Sequence, residues 1–234
     1  CIFRDPFPLH METLKRHYWK ILSIILLIYT VYAGFNGQVP RQPILNETIR
    51  NLYFHVTMWF TMIFLLGTSV YHSIQYLRKS DLKSDLISST YVEVGMVFAV
   101  LGLITGSVWA KFTWGDWWTN DPKLNSVAVG LLIYLAYLLV RSSLPEEQQK
   151  ARVSSVYNIF AFVVFMVLIW ILPRMTDSLH PGNGGNPGFN SMDLDNRMRM
   201  VFYPAIIGWT LLGFWIAGLR VRIKNLEQQI EENN

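Results

Sequence analysis

The sequence predicts an all-α integral membrane protein of six transmembrane helices with both termini cytoplasmic. Three observations lead there. Of the 234 residues, 52% are hydrophobic and only 15% charged, where a soluble domain carries about 25% charged residues. The apolar residues fall into six long runs, each near the roughly 20 residues that cross a ~30 Å hydrocarbon core. The basic residues sit at the ends of those runs and are biased to one side.

The runs cover residues 19–35, 52–77, 86–108, 124–140, 153–172 and 200–219. In lipid the backbone must satisfy its own hydrogen bonds, so each run is read as a helix. The first has basic flanks, but no small-residue cleavage pattern follows it, so it reads as a retained helix. The second is long and is expected to tilt or protrude, and the fourth is short enough to lean on its neighbours. Together they form one membrane domain over residues 11–224, with no internal repeat. Residues 1–10 are expected to be a leader or start artefact, with Met11 as the natural beginning. Residues 225–234 form a cytoplasmic tail. The single cysteine, Cys1, excludes an intrachain disulfide and a cysteine-based metal site. The net charge of +4 is scattered between apolar runs rather than gathered on one surface, which excludes a nucleic-acid reading.

Orientation follows from lysine and arginine. With the N-terminus inside, the inner segments hold thirteen of the 20 basic residues and the outer segments seven. The inner set includes Arg78, Lys79, Arg141 and Arg220; the outer set is Arg41, Arg50, Lys111, Lys123, Arg174, Arg197 and Arg199. The excess recurs at each pair of loops and places both termini in the cytoplasm. Segments 36–51, 109–123 and 173–199 then face outward. The last contains "HPGNGGNPGFNSMD" and is expected to be irregular.

The outer segment "KFTWGDWWTNDPKL" (residues 111–124) concentrates tryptophan. Trp114, Trp117, Trp118 and Asp121 stand at i, i+3, i+4 and i+7, the spacing of one helical face. Gly115 admits close approach to the backbone, and Pro122 would end such a short helix. The plainer account is an aromatic belt at headgroup depth. A belt needs no common face, no glycine and no aspartate, so the sharper account is a platform for a large planar ligand, edged by an acid.

Two of the five histidines share that outer side. His55 lies one turn into the second helix, and His180 lies in the last outer segment. Each alone reads as a hydrogen-bonded interfacial residue. Flanking an aromatic shelf, they suggest two neutral imidazoles clamping the iron of a haem. Arg50 and Lys123 are the first candidates for its propionates; Arg174, Arg197 and Arg199 are weaker ones. His72 follows His55 by about 25 Å of helical rise, too far to bind the same iron, and the sequence offers it no partner. Glu93, a carboxylate within an apolar run, is a functional candidate by position, although snorkelling or a helix–helix hydrogen bond is the plainer role. Gly102 and Gly106, at GxxxG spacing, read as close helix packing.

The stretch "LITGSVWAKFTWGDWWTNDPKLNS" resembles the tryptophan-rich WWD signature of the haem-handling family of c-type cytochrome maturation, most nearly its CcmC, or haem exporter protein C, branch. "RNLYFHV" and "DSLHPG" resemble the segments that carry that family's two outer histidines. The resemblance covers nearly all of residues 11–224. It implies a protein, not an enzyme, that binds b-type haem transiently at the outer face of the bacterial cytoplasmic membrane. It implies delivery to the haem chaperone CcmE, with the ABC complex CcmAB and the small helper CcmD as further partners. The family's axial ligands carry over to His55 and His180. Its haem-binding block carries over to Trp114, Gly115, Trp117, Trp118 and Asp121, and its basic residues to Arg50 and Lys123. Asn120, Pro122 and Lys123 depart from the common pattern, and lysine lacks arginine's planar fork for a propionate. Two other readings stay open on the residues alone: a membrane b-type cytochrome, and a permease subunit with a structural tryptophan belt.

Overall fold

A computed structural model describes the backbone of residues 7–41, 45–180 and 194–233, and side chains from His17 onward within those ranges. Among the described residues all regular structure is helical. The helices are α1 (Phe7–Asn36), α2 (Leu52–Lys79), α3 (Leu82–Trp114), α4 (Pro122–Ser143), α5 (Glu147–Met166), the short α6 (Leu172–Met175) and α7 (Asn196–Glu232). A 3₁₀ turn, Asn46–Asn51, leads into α2, and a π-helical turn, Val167–Ile171, joins α5 to α6. These make six apolar spans long enough to cross a membrane. The expected boundary at Met11 falls inside the continuous helix α1. The glycine- and proline-rich part of the last outer segment, residues 181–193, lies outside the described residues.

Two spans differ from expectation in extent. The fourth was expected to be short, yet α4 runs for 22 residues. Asp121 caps its start, Pro122 supplies the fixed φ favoured at the first helical position, and both lie before the apolar run begins. The third run continues past Val108 to Trp114, where Gly115 ends it at φ +89°. A left-handed residue at that point suits glycine and terminates the helix.

Helix α2 is the hub: it packs along α3, α5 and α7, and α1 packs chiefly on α7. Met58, Met62, Leu65 and Leu66 of α2 meet Val92, Phe98 and Ala99 of α3, with Tyr134 of α4 and Phe165 of α5 closing the core. Small residues set the spacing. A methyl group on Gly102 would stand 2.8 Å from Trp59, and one on Gly130 would stand 2.2 Å from the Phe165 ring.

Polar contacts tie together the half of the bundle away from the 115–121 turn. Asn158 of α5 donates to Ser69 and Ser73 of α2 at 2.7 and 3.0 Å, and Ser73 meets Ser88 of α3 at 2.8 Å. With no water in the bilayer core, such groups must find one another. Arg141 of α4 holds Asp85 of α3 through two bonds of 2.8 and 2.6 Å. Glu93 bonds Arg220 and Lys224 of α7 at 3.1 and 2.6 Å. The expected helix–helix role of Glu93 is therefore observed.

Gly130→Ala is expected to destabilise the bundle by about 1–3 kcal/mol, the usual cost of overpacking, because Phe165 is fully buried. Gly218→Ala meets nothing within 4 Å and should leave the melting temperature near that of the parent. Thermal unfolding in detergent checks the pair.

Candidate functional site

The tryptophan segment is a turn, not a helix. Residues 115–121 link α3 to α4 without regular structure. The expected common face of Trp114, Trp117, Trp118 and Asp121 is therefore absent. The two ends belong to different helices: Trp114 closes α3 and Asp121 caps α4. Gly115 breaks the helical register between them, and Pro122 starts the next helix rather than ending this one. The turn is pinned by its own hydrogen bonds. Ser107 donates to the Trp117 carbonyl at 2.8 Å, Lys111 to the Gly115 carbonyl at 2.6 Å, and Asn125 to Asn120 at 2.8 Å. Trp117 and Trp118 are 56% and 42% exposed, so their rings present apolar surface outside the bundle.

Asp121 behaves differently from the acid at the edge of a shelf that its position suggested. It is buried, with 3% exposure, and its carboxylate gathers donors from two segments. Oδ1 accepts from the backbone N–H groups of Lys123 and Leu124 at 2.9 and 3.3 Å, which caps α4. Oδ2 accepts from Ser178 Oγ at 2.9 Å and the Leu179 N–H at 2.8 Å. His180 Nδ1 lies 3.2 Å from Oδ1. Burial pushes the Asp121 carboxyl up, but the bonds from His180, Leu179 and Ser178 outweigh it and hold the group well below the usual carboxylate range. An ionised carboxylate only accepts, so the proton of this contact sits on His180 Nδ1. Burial holds the His180 imidazole below its ordinary pKa, against the opposing pull of Asp121, so the ring is neutral at pH 7.

His55 is held by the helices themselves. Its Nδ1 lies 2.9 Å from the Gly102 carbonyl and 3.3 Å from Thr105 Oγ1. Its ring stands edge-on between Trp59 and Trp109, at centroid distances of 6.1 and 5.8 Å. A methyl group on Gly106 would come within 2.5 Å of that ring. The GxxxG pair thus does more than bring two helices together: Gly102 makes room for Trp59 and Gly106 for His55. Trp109 in turn donates to Thr48 of the 3₁₀ turn at 3.1 Å. Sequence reasoning missed Trp59 and Trp109, although Trp59 stands four residues after His55 and so on the same helical face.

Both imidazoles thus have Nδ1 on an acceptor, which leaves Nε2 as the lone-pair nitrogen. His55 and His180 lie within electrostatic reach of one another, and Lys123 lies within reach of both. The Trp114 ring stands 4.8 Å from that of His180, nearly perpendicular to it. Trp114 and Asp121 therefore contact His180, and the Lys123 backbone N–H shares Asp121 Oδ1 with it. Arg50 is placed otherwise. Its guanidinium bonds Glu47 and the carbonyls of Gly34 and Gly37, tying the 3₁₀ turn to the end of α1. Arg174 lies over the Trp170 ring and donates to its carbonyl, within electrostatic reach of Lys123.

If a metal-bearing group binds here, His55 and His180 are the residues that would offer it neutral nitrogens, with the Trp114 ring beside His180. Comparison with known proteins bears on which family built it. A family profile described as heme exporter protein C (CcmC) matches residues 7–234. Heme exporter protein C of Rhodobacter capsulatus is 24% identical over 224 residues, covering 90% of each chain. That of Escherichia coli K12 is 24% identical over 205 residues, covering 86% of this chain and 80% of the relative. The cytochrome c biogenesis protein CcsA of Pelargonium hortorum is 30% identical over 153 residues, covering 65% of this chain and 45% of the relative. A match of this extent, over a six-span helical chain, shows that the protein belongs to the heme exporter protein C family.

Proposed function

We propose that this protein handles haem in c-type cytochrome biogenesis, binding it between His55 and His180 at the outer face of the bacterial cytoplasmic membrane. The observation that carries the proposal is the pair of imidazoles, each with Nδ1 on an acceptor and Nε2 left as the lone-pair nitrogen. Two imidazoles supply only two ligands, which suits an iron whose other four come from a porphyrin. The names of the relatives, heme exporter protein C, support the same ligand. The thirteen-to-seven distribution of basic residues supports the outer face.

When bound, haem would bring its iron and its reactive periphery; the chain supplies position. His55 is a rigid ligand, wedged between two tryptophans on a helix. His180 approaches from a non-helical segment latched to Asp121. Trp114 stands against His180, while Trp117 and Trp118 offer exposed stacking surface. Lys123 is the better-placed cation for a propionate, since its backbone N–H and His180 Nδ1 meet the same Asp121 oxygen. Arg50 would first have to leave Glu47 and the α1 carbonyls.

An open, two-handed grip on the outer face suits a carrier whose ligand must leave. We assign the recipient as the membrane-anchored chaperone CcmE, with CcmAB and CcmD as further partners of the assembly. The covalent step then falls on the chaperone, and this chain is no enzyme. A permanent b-type cytochrome would bury its haem between histidines inside the bundle. Here His72 lies between Tyr71 and Tyr91 with its Nδ1 unbonded.

His55→Ala and His180→Ala are each expected to lower co-purifying haem by at least about tenfold, the lower end of what losing even a supporting group costs a metal site. Both should stop chaperone loading. Normal absorption spectra and normal loading in both variants would overturn the assignment. Replacing Trp117 and Trp118 together by alanine should weaken haem retention about 5–150-fold, at ~0.5–1.5 kcal/mol per aromatic contact, while the two-histidine spectrum persists. A pH titration adds a third check. Because the His180 pKa is lowered, its lone pair stays available from pH 8 down to about 6.5, the ordinary imidazole value. Haem retention should be flat over that range and fall only at more acid pH, as His180 protonates. A decline centred above pH 6.5 contradicts the account.

A further inference from the structure

We propose that Asp121 is a positioning residue: through Oδ1 it fixes His180 as its Nδ1–H tautomer, aims Nε2 at the ligand and makes His180 the more electron-donating of the two imidazoles. This rests on the haem-site reading above and specifies how the site is built. It also gives Asp121 a role other than direct contact with the cofactor.

Three observations carry it. First, both Asp121 oxygens are occupied by donors from the chain itself: two backbone N–H groups of α4 on Oδ1 and two donors of the 178–180 segment on Oδ2, with His180 Nδ1 at 3.2 Å from Oδ1. A side chain 2% exposed and so fully engaged has no oxygen left for a propionate or an iron. Second, the His180 segment is held to the turn by the same carboxylate. Ser178 bonds Oδ2 and also accepts from the His180 backbone N–H at 3.1 Å, so backbone and ring are set together. Third, the two histidines have unequal acceptors. Nδ1 of His55 meets the neutral Gly102 carbonyl, whereas Nδ1 of His180 meets a carboxylate. The carboxylate contact is the longer of the two, 3.2 against 2.9 Å, but it carries a full negative charge, and a carboxylate behind a ligating imidazole raises its basicity. His180 is therefore the stronger donor to a ferric iron and His55 the weaker one.

The test uses the full-length protein in detergent. Asp121→Asn removes the charge but keeps an N-cap residue of equal quality, so helix α4 should survive. In haem-free wild-type protein with ¹⁵N-labelled histidine, the His180 signal, assigned by its absence in His180→Ala, should report a protonated Nδ1. Asp121→Asn should shift it toward the other tautomer. A wild-type His180 protonated on Nε2 overturns the proposal before any variant is made. With haem bound, Asp121→Asn should weaken retention about 10–100-fold and raise the reduction potential, because a less basic imidazole stabilises ferric iron less. Asp116→Asn, a charge removed from an exposed site in the same turn, should leave both unchanged. In a His180→Ala background, Asp121→Asn should have no further effect on haem. An equal additional loss there, or wild-type retention and potential in Asp121→Asn while His180→Ala is depleted, would overturn the positioning role alone. Wild-type haem in His180→Ala would instead overturn the ligand assignment beneath it.

Discussion

The candidate site depends on one buried carboxylate. Asp121 ends the tryptophan turn, starts α4 and holds the segment that carries His180, all through the same two oxygens. Burying a charge is costly unless hydrogen bonds replace its hydration, and here five donors do so. The arrangement makes three chain segments interdependent. If the 178–180 segment left, two backbone donors of α4 would remain on Oδ1, but Oδ2 would lose both of its protein partners. The 178–180 segment is therefore held to the turn by the cost of leaving that charge unsatisfied.

His55 is supported by opposite means. It is placed by packing, in a slot that Gly106 opens and that Trp59 and Trp109 line. The contact between α2 and α3 that builds this slot is the most extensive in the bundle. One proposed ligand thus rides on the hub of the fold and the other on a latched connection. The inner half of the bundle has a different character. Its ion pairs and its serine–asparagine cluster join helices to one another, and all lie on the cytoplasmic side of the hub in the proposed orientation.

The fold was legible because lipid imposes a coarse rule. Long apolar runs must be helices, and six of them can be read from composition alone. The extents of α3 and α4 were less legible, since they depend on caps that lie outside the apolar run: Gly115 at one end, Asp121 and Pro122 at the other. The same caps explain why the tryptophan face was misread. The i, i+3, i+4, i+7 spacing implied a helix, but a glycine at φ +89° reset the register after Trp114. The placement of His55, His180 and Lys123 at one end of the bundle was legible from topology, because alternate loops of a six-helix bundle share an end. Trp59 and Trp109 escaped notice because their roles depend on packing across helices, although the Gly102–Gly106 pair marks where they sit. The engagement of Arg50 by Glu47 and the end of α1 needed coordinates.

The central claim is that two histidine nitrogens from separate segments grip one iron at the outer face. Near-infrared magnetic circular dichroism of the purified, haem-loaded protein tests it most directly, because that band reports the axial ligand pair of ferric haem. The account predicts a low-spin spectrum characteristic of two imidazoles. A high-spin spectrum, or one showing an axial ligand other than histidine, in protein carrying its full haem complement would contradict it.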